Sequence, residues 1–246
     1  MTRTRYAIIG DTHGDFLWTL KVLDHCRDLK ISTVFQVGDW GFMWPNATTK
    51  PNDQIAFLAD ALLARGQEMY FIDGNHDWHP KLRSKRSWPS SLHYQRRGTS
   101  KIFKNDDGRD VRVAFLGGAT SIDKNHRIEG ESWWPEEEIK EEELPVDAAD
   151  IILTHDAPEQ PHNMAEMELP MGLAYRCRRS REFVKQAVRN TQARILFHGH
   201  YHWSYRGSFG GTEVIGLNCN RKTGGYVIVN HNFEEVTDRI TGWVTK

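Results

Sequence analysis

Five short apolar runs, each closing on metal-type side chains, constrain this chain more than any other feature. Ala7-Ile-Ile-Gly10 leads to Asp11-Thr-His13, and Val34-Phe-Gln-Val-Gly38 leads to Asp39. Tyr70-Phe-Ile-Asp-Gly74 leads to Asn75-His76-Asp77. Ile151-Ile-Leu-Thr154 leads to His155, and Arg194-Ile-Leu-Phe-His-Gly199 leads to His200-Tyr-His202. If the runs are strands of one architecture, their ends can converge on one spot. Asp, His and Asn together suit borderline or hard cations. Asp11 and His13 are two apart, and so are His200 and His202. On an extended segment such pairs project to the same side and can reach one ion. Glycines at 10, 38, 74 and 199 permit tight turns and close backbone approach.

The runs alternate with helical stretches. Arg5 to Ile9 reads as a buried strand, followed by a helix capped by Asp15 and ending near Leu29. Thr33 to Val37 is a second strand. Pro51 opens a helix that Gly66 closes, and Glu68 to Ile72 is a third strand. Strand, helix, strand, helix, strand is an α/β pattern. Leu92 to Arg97, Lys101 to Lys104 and Val111 to Leu116 read as further strands, with a hairpin turn at Asn105-Asp-Asp-Gly108. Pro135 to Glu143 reads as a short acidic helix, and Asp156 to Pro170 as a loop. Leu173 to Arg189 reads as a helix. Ile151 to Thr154, Arg194 to Phe197, Glu213 to Leu217 and Tyr226 to Val229 are the remaining expected strands. The expected architecture is two face-to-face sheets with helices outside, one sheet mixed or parallel and the other more antiparallel. Ligands should sit at the strand ends. With 246 residues and no composition break, residues 1–246 read as one domain.

Composition narrows the function. Lys+Arg 32 against Asp+Glu 33 gives a net charge of -1, and so no electrostatic case for nonspecific nucleic-acid or membrane binding. The three cysteines lack any paired spacing, which points to a reducing cytoplasm rather than a disulfide framework. The first apolar run is too short for a signal segment or membrane span.

In order along the chain, Gly-Asp-Thr-His-Gly (10–14), Gly-Asp (38–39), Gly-Asn-His-Asp (74–77), Thr-His (154–155) and Gly-His-Tyr-His (199–202) resemble the calcineurin-like metallophosphoesterases. The resemblance implies a four-layer αββα sandwich of two mixed sheets. It implies two divalent cations, Mn²⁺ first, with Fe or Zn²⁺ as alternatives. Asp11, His13 and His202 would hold one ion, Asn75, His155 and His200 the other, and Asp39 would bridge them. A water or hydroxide between the ions would attack phosphorus in line, and His76 would serve the leaving group. The block Gly38-Asp-Trp-Gly-Phe42 lacks the Gly-Asp-x-Val-Asp-Arg-Gly of serine/threonine phosphoprotein phosphatases, and Asp77 stands where those carry Glu. The block Gly117 to Arg127 with Ser132 to Glu138 resembles small bacterial and phage members. The expected function is hydrolysis of phosphodiesters, nucleotides or nucleic acid included, with phosphomonoesters as well. The alternatives are a dedicated phosphomonoesterase or protein phosphatase, and a non-catalytic scaffold of the same fold.

Lys124 and Arg127 are candidate phosphate contacts, and Trp133 and Trp134 are candidate base-stacking faces. Trp40 and Trp44 could wall the pocket or be buried. His198 reads as support rather than a ligand. The arginines at 176, 178, 179 and 181 read as a solvated helix face paired with the acidic run 136–143.

Overall fold

A computed structural model describes residues 4–45, 50–161 and 169–236. His162 and the middle of the 156–170 loop read from the sequence, residues 162–168, lie outside the described residues. The chain forms β1 (Arg5–Ile9), α1 (Phe16–Asp28), β2 (Thr33–Gln36), α2 (Pro51–Leu63), β3 (Glu68–Phe71), α3 (His79–Ser84) and β4 (Leu92–Tyr94). It continues with β5 (Ser100–Lys104), β6 (Asp110–Leu116), β7 (Ile151–Thr154), α4 (Met171–Thr191), β8 (Ile195–His198), β9 (Tyr205–Phe209), β10 (Thr212–Gly216) and β11 (Tyr226–Asn230).

The strands form two sheets, ordered β11-β1-β2-β3-β4 and β5-β6-β7-β8-β10-β9. In the first, β1 to β4 run parallel and β11 is antiparallel to β1. In the second, β6, β7, β8 and β10 run parallel, with β5 and β9 antiparallel at the two edges. Both sheets are therefore mixed around a parallel centre. A parallel centre needs crossovers, and α1, α2, α3 and α4 supply those from β1 to β4 and from β7 to β8.

The two-residue period of each strand sorts the side chains into layers. Tyr6, Ile8, Phe35, Tyr70, Phe115, Leu153 and Phe197 fill the space between the sheets. Ala7, Ile9, Val34, Met69 and Phe71 face the other way, onto Trp18, Val22, Leu23 of α1 and Ile55, Leu58, Leu62 of α2. On the second sheet Ala114, Ile152, Leu196 and Val214 meet Phe183, Val184, Ala187 and Val188 of α4. This is the αββα sandwich. Strands covered on both faces read as continuous apolar runs, which is why they are visible in the sequence.

Some local expectations change. The acidic stretch is two separate 3₁₀ turns, Pro135–Glu137 and Glu141–Glu143, rather than one helix. Its Glu137 side chain turns inward to Ser121 instead of continuing a solvated helical face. Strand β9 has no counterpart among the expected strands. It joins β10 through Gly210 and Gly211, both at positive φ, a two-residue glycine turn that marks hairpins.

A buried ion-pair network anchors the end of β3. Asp73, fully buried, accepts from Arg97 Nε at 2.9 Å and Nη2 at 2.5 Å, and from the Tyr94 hydroxyl at 3.0 Å. Arg97 spends its other donors on Glu143 and on the carbonyls of Glu136, Glu137 and Glu138. Burial would raise the Asp73 carboxyl, but the Arg97 guanidinium beside it holds it well below the usual carboxylate range. Arg97→Met is expected to cost about 3–5 kcal/mol at neutral pH by stranding that charge, read by urea unfolding. A carboxylate depressed in the fold contributes stability above its unfolded value and loses it as pH falls. The difference between the two proteins should therefore narrow as pH drops below about 4. A penalty independent of pH would contradict the assignment.

Candidate metal centre and its supports

The parallel strands of both sheets end at the same side of the molecule, and the site is built from the turns that follow them. Asp11 and His13 follow β1, Asp39 follows β2, and Asn75 and His76 follow β3. His155 follows β7, and His200 and His202 follow β8. The structure brings all seven expected ligand side chains together.

They form two overlapping groups. In the first, one donor atom from each of Asp11, His13, Asp39 and His202 lies within 4.8 Å of all the others. His202 Nε2 stands 3.0 Å from Asp11 Oδ2 and 3.0 Å from His13 Nε2. In the second, Asn75 Oδ1 lies 3.0 Å from His155 Nε2 and 2.8 Å from His200 Nδ1. Asp39 joins them, with Oδ1 3.3 Å from His155 Nε2 and Oδ2 3.9 Å from His13 Nδ1.

The donor set fits cations. His155 Nδ1 lies 2.8 Å from the Val37 carbonyl, which can only accept, so that nitrogen carries the proton. In the neutral ring Nε2 then presents a lone pair, and it meets two more acceptors, Asn75 Oδ1 and Asp39 Oδ1. Acceptors aimed at acceptors need a proton or a cation between them. The Asn75 amide is oriented by Nδ2, which donates to Ser121 Oγ at 3.0 Å.

Electrostatics agree. Burial alone would lower His155, but the Asp39 carboxylate overrides it and raises the ring to about 10. His202 is raised to about 10 by its hydrogen bond to Asp11, with the Cys219 thiol adding to it. Asp39 is held well below the usual range against its burial, chiefly by His155 and His76. His76 moves the other way. Burial lowers it, outweighing Asp39, and Arg127 lowers it further.

The backbone at these turns is not extended. His13, Asp39, His200 and His202 have φ of 45°, 51°, 66° and 50°. This corrects the reason for the two-residue spacing: Asp11 and His13 meet through a left-handed turn, not along an extended strand. A Cβ at Gly74 would strike the backbone nitrogen and Oδ1 of Asp39, so the close approach of these two turns requires glycine there.

Side chains and backbone groups beside the ligands hold the turns. The Asp77 carboxylate accepts from Gly74 N–H at 2.8 Å, Gly41 N–H at 2.8 Å and Trp40 N–H at 3.1 Å, tying the β2 and β3 turns together. The His76 N–H donates to Asp39 Oδ1 at 2.7 Å. Ser121 donates to the buried Glu137, both through Oγ at 2.6 Å and through its N–H at 2.9 Å. Much of the 117–138 block is thus a support behind Asn75. His198 is fully buried, bonded to the Tyr205 hydroxyl and lowered to about 4 by burial, so it is neutral packing beside the cluster.

A cavity of about 690 Å³ opens beside the cluster, lined by Asp39, Asn75, His76, His200 and His202 on one side. Trp133 and Trp134 are each only 4% exposed, which corrects their reading as base-stacking faces. Lys124 covers the Trp133 ring at 3.8 Å, and Trp134 packs on Trp44. Trp40 is core, stacked on Phe71 at 4.2 Å. Arg127 turns to the His76 ring, with Nη2 against both ring nitrogens, and to Asp123 at 2.9 Å; it does not line the cavity.

A sequence profile described as calcineurin-like phosphoesterase matches residues 4–204. No curated protein matches the sequence. Among solved structures, TT1561 of Thermus thermophilus is 12% identical, with 93% of this chain and 94% of that one covered, at a TM-score of 0.58. GAP50, the anchor in the inner membrane complex of Plasmodium, is 13% identical, with 96% and 87% covered, at a TM-score of 0.53. At such identities the likeness is one of fold. Among the described residues no helix is long and apolar enough to cross a membrane.

Cation uptake at this cluster must displace protons from His155 and His202. Binding of Mn²⁺ should therefore release protons and weaken as pH falls. Calorimetry in buffers of different ionisation enthalpy reads the release directly. Mn²⁺ affinity that stays constant from pH 8 down to pH 6 would contradict the cluster as the site.

Proposed function

Because this chain belongs to the calcineurin-like phosphoesterase family, we propose that it is a dinuclear metal-dependent hydrolase of phosphodiesters, active on phosphomonoesters as well. The observation that carries the reading is the pair of ligand groups sharing Asp39 at the wall of an open cavity. Asp11, His13 and His202 would hold one cation, Asn75, His155 and His200 the other, and Asp39 both. Two such cations neutralise charge on phosphoryl oxygens and acidify a water at neutral pH. Mn²⁺, Fe and Zn²⁺ all suit this mixture of carboxylate, amide and imidazole.

The chain's own groups do the rest. His76 faces the cavity, and burial lowers it, with Arg127 lowering it further against the pull of Asp39. Arg127 Nη2 lies against both ring nitrogens and holds the ring in place. Facing the cavity, the ring would serve the charge on a departing oxygen. Asp77 and the His76 N–H fix Asp39 and His76 relative to each other, so the bridging acid and the leaving-group partner move as one unit.

The test is Mn²⁺-dependent hydrolysis of bis(4-nitrophenyl) phosphate beside 4-nitrophenyl phosphate. Asp39→Asn is expected to reduce diester turnover by at least roughly 100-fold. His76→Ala should keep cation binding and slow turnover by roughly 10²–10⁴-fold, most for esters with poor leaving groups. Wild-type turnover of the monoester alone would replace the diester reading with a phosphomonoesterase. If neither ester turns over in the Mn²⁺-loaded protein, the reading fails in favour of a binding role, the kind of role GAP50's description as an anchor names for that protein.

A further inference from the structure

The cavity has a second wall that the proposed chemistry does not use. Helix α4 supplies Ala174, Cys177, Arg178 and Arg181 to it. These stand at i, i+3, i+4 and i+7, one face of the helix. The other two arginines of the run are occupied. Arg176 pairs with Glu138 and lies over Trp133 at 5.7 Å, and Arg179 lies over Phe183 at 5.3 Å. Arg178 is exposed and has no ion pair or hydrogen bond among the described residues. Arg181 has only the Tyr201 hydroxyl, at 3.5 Å.

The acids that share the lining are already engaged. Asp123 accepts from Arg127 at 2.9 Å. Asp156 accepts from Ser180 Oγ at 2.6 Å and from the Ala157 N–H at 2.8 Å. Asp39 belongs to the ligand cluster. Two guanidinium groups thus reach a concave site, and among the described residues no carboxylate lies within ion-pairing distance of either, Asp156 acting on Arg181 only from further away. Such groups recognise phosphate through paired N–H donors. The volume of about 690 Å³ also exceeds what a single phosphoryl group occupies and is in the range of sites for larger ligands.

We propose that Arg178 and Arg181 form a second anion subsite, so that the preferred substrates are phosphoesters carrying a further phosphate away from the scissile one. The proposal rests on the phosphoesterase reading for the cleaved end, but the subsite itself is a binding property and is tested as one. The probes are α,ω-alkane bisphosphonates of increasing length, each against the monophosphonate of the same chain length. Their C–P bonds resist hydrolysis, so binding to the Mn²⁺-loaded protein by calorimetry is independent of turnover. Hydrogen bonds to a charged group at the second end should make at least one bisphosphonate roughly 10- to 100-fold tighter than its partner. That advantage should vanish in Arg178→Gln and in Arg181→Gln. Arg178 is exposed, so its variant keeps the test readable if Arg181→Gln fails to fold. No advantage at any length, or an advantage intact in both variants, overturns the subsite whatever the ester assays show. A preference that depends on these arginines, in a protein that hydrolyses neither nitrophenyl ester, keeps the subsite and removes the phosphoesterase reading instead.

Discussion

The structure depends on keeping lone pairs pointed at one another. His155 Nε2, Asn75 Oδ1 and Asp39 Oδ1 meet at about 3 Å, and His13, His202 and Asp11 crowd a few ångströms away. Left to themselves such groups repel or take up protons. Holding them needs backbone that a relaxed chain avoids. Eight non-glycine residues among those described have positive φ, and four of them are His13, Asp39, His200 and His202. Left-handed conformations cost of order 1–3 kcal/mol each unless surrounding contacts impose them. Their concentration here indicates that the turns are shaped for the cluster rather than for the sheets.

Those imposing contacts are long-range and mostly buried. Asp77 binds three backbone N–H groups across two turns, and Val37 fixes the tautomer of His155. Below them Asp73 and Arg97 lock the root of the Gly74 turn to the loop that carries Glu137. Asp77 and Asp73 accept from donors outside the ligand set, so these two carboxylates shape the turns without taking the place of a ligand.

This division explains what could be read from the sequence. The central strands were legible because burial on both faces makes them apolar throughout, and the ligand residues because each follows such a run; the largely exposed edge strand β9 was not. Their order along the chain also carried the family resemblance. The supports behind Asn75 were not legible. Nothing local to Ser121 or Glu137 indicates Asn75, 46 residues from Ser121. Trp133 and Trp134 were misread because their burial is made by distant partners, Lys124 and Arg176 for one and Trp44 for the other. The arginines of α4 were read as one solvated face paired with the acidic run. Arg176 does pair with Glu138, but helical periodicity sends Arg178 and Arg181 to the cavity instead.

The Asn75 support keeps a further acid at a distance from the cluster. Burial raises Glu137 to about 7. Its partner Ser121 accepts from the Asn75 amide and donates to Glu137. The second ligand group holds only imidazoles and an amide besides the shared Asp39, and Glu137 stands two hydrogen bonds behind the Asn75 amide, away from lone pairs already crowded together.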